Sequence, residues 1–156
     1  MLLTFDVGNS ETTLGLFDGD TLVAHWRTIT DVPRSADELG VLLRGLLAGA
    51  DVEVLQVRGV AIASVVRGMA VHLEEACERW IPGARVVIFD ATTPLPITLD
   101  VEEPSTVGAD RIINTLVASR RYQCDCIVVD LGTATTFDCI TADGVFLGGV
   151  IAPGVR

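Results

Sequence analysis

Apolar and polar positions follow two different periods along this chain, and the switches between them outline its elements. Residues 2 to 7, LLTFDV, form an apolar run with a late acid. Residues 12 to 17, TTLGLF, follow after a short turn, and residues 21 to 27, TLVAHWR, follow the strong turn signal Asp18-Gly19-Asp20. This pattern predicts a three-stranded meander. At Ser35 the period becomes helical: Ser35 and Glu38 have capping-box spacing, and Leu39, Leu42, Leu43, Leu46 and Leu47 recur on one face. A buried strand is predicted at 59–65, then a helix at 69–80 with Met69, Leu73, Ala76 and Trp80 on one side, then a strand at 85–89. Residues 91–105 carry Pro94, Pro96 and Pro104 and read as an irregular connection. A last helix opens at Gly108 with Ile112, Ile113, Leu116 and Val117 inward. Strands alternating with helices predict an α/β fold, a sheet covered by helices.

After that helix the opening pattern returns. "LLTFDVGNSETTLGLFDGDTLVAHW" and "CIVVDLGTATTFDCITADGVFLGGV" share an apolar strand, Asp-x-Gly with a small polar residue, a second strand, an Asp-Gly turn and a third strand. The match predicts two copies of one strand-turn-strand unit. The expected division is a first lobe at 1–121 and the opening hairpin of a second lobe at 122–156.

Composition narrows the chemistry. With 156 residues and 49% hydrophobic content the chain has ample material for a core. A formal charge of -10 argues against nucleic-acid and anionic-membrane partners, which are gripped by basic surface. All the side-chain cations except histidine are arginines, so a lysine-dependent phosphate loop is excluded. The opening "MLLTFDVGNS" does not have the charge and apolar run of a secretory leader, and a cytoplasmic location is expected. Cys77, Cys124, Cys126 and Cys139 contain no CxxC pair and read as reduced thiols; His25 and His72 read as incidental.

The run "DLGTATTFD", residues 130–138, ends an apolar strand with a carboxylate and a cluster of hydroxyls. Phosphate binding accounts for that chemistry: glycine lets backbone approach a phosphate, hydroxyls and amides donate to it, and the aspartate can hold a hydrated magnesium ion. In this reading Asp130, Gly132, Thr133, Thr135 and Thr136 form one such turn. Asp6, Gly8, Asn9, Ser10 and Thr12 form the other, with the two turns clamping one ligand. The plainer alternative, two tight turns with capping polar residues, is weakened by their pairing.

Five stretches carry a resemblance to a known family: "DVGNS" at 6–10, "ADEL" at 36–39, "GADRI" at 108–112, "DLGTATTFD" at 130–138 and "GGVIAPG" at 148–154. In this order the sequence resembles type III pantothenate kinase, within the superfamily of actin, sugar kinases and heat-shock ATPases. The resemblance implies a ribonuclease H-like α/β fold: a mixed sheet with flanking helices, in a duplicated domain whose second copy is incomplete here. It implies ATP-dependent phosphorylation of pantothenate at the first committed step towards coenzyme A, with magnesium, a monovalent cation such as potassium or ammonium, and a homodimer. It places Asp6, Val7, Gly8, Asn9, Ser10 and Thr12 on the first phosphate motif and Gly132, Thr133 and Thr136 on the second, with Asp6 and Asp130 towards the metal. Gly108, Ala109, Asp110 and Arg111 fall on the substrate motif, with Asp110 at the catalytic base. On chemistry alone, Arg111 can pair with the pantothenate carboxylate; the plainer alternative is a helix-start aspartate favoured by the dipole beside a solvated arginine.

The chain departs from the family pattern in three places. Arg67 follows Ser64-Val65-Val66 where proline is common, Val101 stands where an aromatic wall residue is common, and family members continue beyond "GGVIAPGVR". Two other readings stay open on the residues: a non-catalytic nucleotide-binding or regulatory homologue, and another small-molecule kinase of the superfamily. Exposed edges and apolar surface in the second hairpin lead to an expectation of self-association.

Overall fold

In the computed structural model, which describes residues 1–30 and 34–154, the predicted strands and helices form with small shifts at their ends. The chain divides into two units, Met1–Phe89 and Asp90–Arg156. This division falls earlier than 121/122, because the helix that opens at Gly108 makes its contacts with the strands that follow it.

The first unit contains strands β1 (Leu2–Val7), β2 (Glu11–Asp18), β3 (Thr21–Ile29), β4 (Gly59–Ser64) and β5 (Arg85–Phe89), with helices α1 (Ala36–Gly49) and α2 (Met69–Trp80). Its sheet has the order β3-β2-β1-β4-β5. The β1-β2 and β2-β3 pairs are antiparallel, whereas β1-β4 and β4-β5 are parallel. This is the expected mixed sheet. Helix α1 begins as its sequence predicts: Glu38 N–H donates to Ser35 Oγ at 3.3 Å, and Ser35 N–H donates to Glu38 Oε2 at 2.8 Å. Leu39, Leu43 and Leu47 of α1 and Leu73, Ala76 and Cys77 of α2 are buried in one core with Leu3, Phe5 and Val7 of β1 and Val60 and Ile62 of β4.

The second unit contains β6 (Thr98–Leu99), α3 (Ala109–Tyr122), β7 (Cys126–Leu131), β8 (Ala134–Ile140) and β9 (Val145–Pro153). Its sheet order is β6-β9-β8-β7, with β6 parallel to β9 and the other pairs antiparallel. The proline-rich connection is irregular apart from β6 and a single 3-10 turn at Pro104–Thr106. The buried core here is small: Ala118, Ile140 and Phe146, with Leu99, Val101, Val107, Cys126 and Val128 packed against it. Val101, at the expected aromatic wall position, thus packs into this core. The inward face of α3 differs from expectation. Ile112 is buried together with Ala109, Thr115, Ala118 and Ser119, while Val117 is exposed. The small residues let α3 approach the sheet closely, and Val117 falls on the opposite side of the helix.

The two β-meanders share a register. Asp6 pairs with Thr13 and Val7 with Thr12 in the first; Asp130 pairs with Thr136 and Leu131 with Thr135 in the second. Each third strand carries one extra residue near the second turn, at the register shifts Leu16/Phe17 and Cys139/Ile140. Counting from either aspartate therefore reaches equivalent cross-strand pairs, including the shift itself.

Candidate active site

In the first unit, Asp6 lies at the end of β1, and Gly8, Asn9 and Ser10 form the turn into β2. The turn is closed by Gly8 N–H donating to the Glu11 carbonyl at 3.0 Å, and Asn9 and Ser10 are exposed. Val7 is buried in the core. The Thr12 side chain is also buried, and its hydroxyl shares a 2.7 Å hydrogen bond with that of Thr30. The residue facing Asp6 across the ladder is the exposed Thr13, the register equivalent of Thr136. The sequence motif points to Thr12; the ladder register instead makes Thr13 the counterpart of Thr136.

In the second unit, Asp130 is exposed near the end of β7, and Gly132 and Thr133 form the turn into β8. Gly132 N–H donates to the Ala134 carbonyl at 3.0 Å. Thr133 is exposed and Thr136 half-buried, whereas Thr135 is buried. Gly154, the last residue of the GGVIAPG stretch, runs directly against this turn. A Cβ at Gly154 would collide with the carbonyl oxygens of Gly132 and Thr133.

Gly108 caps α3 with extended backbone, Ala109 is buried, and Asp110 occupies the first helical turn. Asp110 Oδ1 accepts the Arg111 N–H at 2.8 Å. Burial raises the Asp110 pKa, the nearby charges of Asp130 and Asp138 raise it further, and the Arg111 N–H and side-chain charge oppose the rise. Asp110 is therefore a stronger base than an ordinary aspartate, with two further carboxylates close enough to be felt.

Arg111 reaches an unexpected partner. Its Nε donates to Asp138 Oδ1 at 2.7 Å, and Nη2 lies 2.5 Å from the same oxygen, a charge contact without hydrogen-bond alignment. Asp138 is fully buried, and its Oδ2 has no hydrogen-bond partner. The guanidinium carbon sits 5.1 Å from the centre of the Phe146 ring. Gly149 lies beside the pair: a Cβ there would strike the Phe137 carbonyl, Arg111 Nη2 and Asp138 Oδ1. Asp138 was not among the expected site residues. Its signal is alternation, since it shares a strand face with Thr136 and Ile140, and an acid between such neighbours needs a cation.

The sequence model of the family described as type III pantothenate kinase matches residues 2–156. The chain belongs to the type III pantothenate kinase family. A type III pantothenate kinase from Anaeromyxobacter sp. (strain K) is 47% identical over 156 residues, covering 99% of this chain and 61% of that protein. The type III pantothenate kinase of Acidothermus cellulolyticus is 46% identical over 155 residues, covering 99% and 60%. The chain thus spans about three fifths of the length of these curated relatives. Among solved structures, a candidate N-acetylglucosamine kinase from Porphyromonas gingivalis superposes with a TM-score of 0.54 at 16% identity, over 96% of this chain and 47% of that one. At that identity the likeness concerns fold alone, and it agrees with the actin and sugar-kinase class of ribonuclease H-like folds.

A nucleotide-bound magnesium ion suits what these pantothenate kinase family residues offer. Among the described residues no group of three or more His, Cys, Asp or Glu is gathered as a metal cage. Asp6 and Asp130 each present an exposed carboxylate at a strand end. Magnesium usually takes one or two carboxylates and fills its remaining positions with water and phosphate oxygens. Among the described residues no helix is long and apolar enough to cross a membrane.

Proposed function

We propose that this chain carries the substrate and phosphate elements of an ATP-dependent pantothenate kinase, which converts pantothenate to 4'-phosphopantothenate on the way to coenzyme A. The observation that carries the reading is Asp110: a carboxylate of raised basicity at the start of α3, adjoining Arg111 and within electrostatic reach of Asp130. Family membership across residues 2–156 supports the choice of substrate.

Phosphoryl transfer passes through a loose transition state, so the protein's work is alignment and neutralisation of charge. Asp110 accepts the proton of the attacking primary hydroxyl and orients it. The Arg111 guanidinium pairs with the carboxylate at the other end of pantothenate. The backbone amides and hydroxyls of the turns at 8–10 and 132–133, with Thr13 and Thr136, bind phosphate oxygens; this assigns to Thr13 the hydroxyl role expected of Thr12. Asp6 and Asp130 would hold magnesium, which supplies positive charge to the phosphates when bound. Potassium or ammonium as monovalent activator, a homodimeric assembly and a cytoplasmic location belong to the same proposal and rest on family membership.

The test combines the chain with ATP, magnesium, potassium and pantothenate and measures ADP and phosphopantothenate. Asp110→Asn is expected to lower kcat by about 10²–10⁴, the range for loss of a general base. Nucleotide uptake by calorimetry without any turnover would favour a regulatory homologue. Faster phosphorylation of another alcohol would assign a different substrate.

A further inference from the structure

We propose that Asp138 is a positioning residue for substrate recognition: it fixes the plane of the Arg111 guanidinium so that the free Nη1 edge is kept for the carboxylate of pantothenate. This rests on the kinase reading above, and in particular on the pairing of Arg111 with a carboxylate ligand.

Four observations support it. Asp138 spends a fully buried carboxylate on one guanidinium, engaging Nε and Nη2 through Oδ1 alone. Among the described residues Nη1 has no hydrogen-bonding or charged protein partner. The Phe146 ring fixes the height of the guanidinium carbon, and the absent side chain at Gly149 makes room for the pair. The register-equivalent pair in the first unit is Gly15 opposite His25, whereas here it is Asp138 opposite Gly149. The carboxylate therefore appears in the unit that carries the substrate motif, at a position the shared meander does not require to be acidic.

Stability alone is a poor account of this arrangement. A buried ion pair is often no more stabilising than apolar residues of the same volume, because desolvation cancels much of the attraction. The unpartnered Oδ2 adds a further cost. An orienting role accounts for both, since arginine recognises carboxylates through a planar fork whose direction must be set in advance.

Calorimetry on the full chain tests this with two ligands: pantothenate and its alcohol analogue, in which CH2OH replaces the carboxylate. Wild type is expected to prefer pantothenate, and Arg111→Ala to lose the preference. Asp138→Asn is expected to weaken pantothenate about tenfold or more, the loss of one charge-assisted hydrogen bond, while the alcohol changes by less than about twofold. Phe146→Leu, a variant that leaves Asp138 in place, is expected to shift pantothenate in the same direction by a smaller factor, with circular dichroism verifying the fold of each variant. A preference kept undiminished in Asp138→Asn, or in Phe146→Leu if the first does not fold, overturns the positioning role while the kinase reading stands. A wild type indifferent to the carboxylate overturns the recognition premise itself, and this proposal with it.

Discussion

The two meanders place the same residue pattern in opposite surroundings. Leu3, Phe5 and Val7 alternate along the strand that leads into the first turn and are 1%, 3% and 1% exposed; Ile127, Val129 and Leu131 hold the equivalent positions in the second and are 62%, 48% and 62% exposed. Register and side-chain alternation agree between the two, so strand geometry does not make the difference. In the first unit α1 and α2 share one core with that sheet face. In the second, α3 packs on the face of Ile140, Phe146 and Asp138, and the face of Ile127, Val129 and Phe137 stays open. An apolar strand states a requirement for cover; which element meets it is decided elsewhere in the chain.

The strongest way to break this comparison is to truncate one residue in each meander. Phe5→Ala is expected to cost about 3–5 kcal/mol through lost burial and the cavity left behind, whereas Val129→Ala is expected to stay within about 0.5 kcal/mol, as for an exposed position. Urea midpoints measure both. Equal costs would show that the open face is covered in solution, and sedimentation would then detect the expected self-association through the exposed Ile127, Val129, Phe137 and Val150.

Next in size is Gly149→Ala. The new methyl would strike backbone and the Arg111–Asp138 pair together, with an expected loss of about 1–3 kcal/mol as overpacking. A neutral result in thermal melts would mean that the ion pair moves aside freely.

A smaller effect sharpens the contrast in electrostatics. Because burial and the Asp130 and Asp138 charges raise the Asp110 pKa in the folded state, its neutral form contributes stability that is fully present below the ordinary carboxylate value of about 3.9. That contribution is lost as pH rises through the raised folded value. Asp110→Asn should therefore remove part of the decline in urea midpoint over that interval. In an active preparation the acid limb of kcat/KM should also lie above the ordinary aspartate value. An unshifted carboxyl titration by NMR would contradict both.

The smallest signal is chemical. Burial pushes the Cys77 thiol up to about 12, whereas Cys124 and Cys139 are exposed. A thiol reagent should label the latter two in the native chain and reach Cys77 only on unfolding.

Much of this was legible in the residues. The capping box at Ser35, the helix at 69–80 and both Asp-x-Gly turns follow from local rules that need no tertiary information. The β6 strand was not legible, because two residues paired to β9 carry no periodic signal. The apolar character of Val117 predicts an inward position, yet the small residues Ala118 and Ser119 make the close contact and Val117 is exposed. Of the candidate site, the motifs mark the two turns and the start of α3. The internal partner of Arg111 is 27 positions away on a different element, and such pairings arise only when α3 docks on β8.

Gly154 against the carbonyls of Gly132 and Thr133 has a thermodynamic consequence for a ligand arriving at that bend. The loop is braced from behind by the tail of a neighbouring strand, so much of its freedom is surrendered during folding. Under the proposed phosphate role of this turn, an incoming anion would meet donors already in place, and more of its contact energy would be retained as affinity.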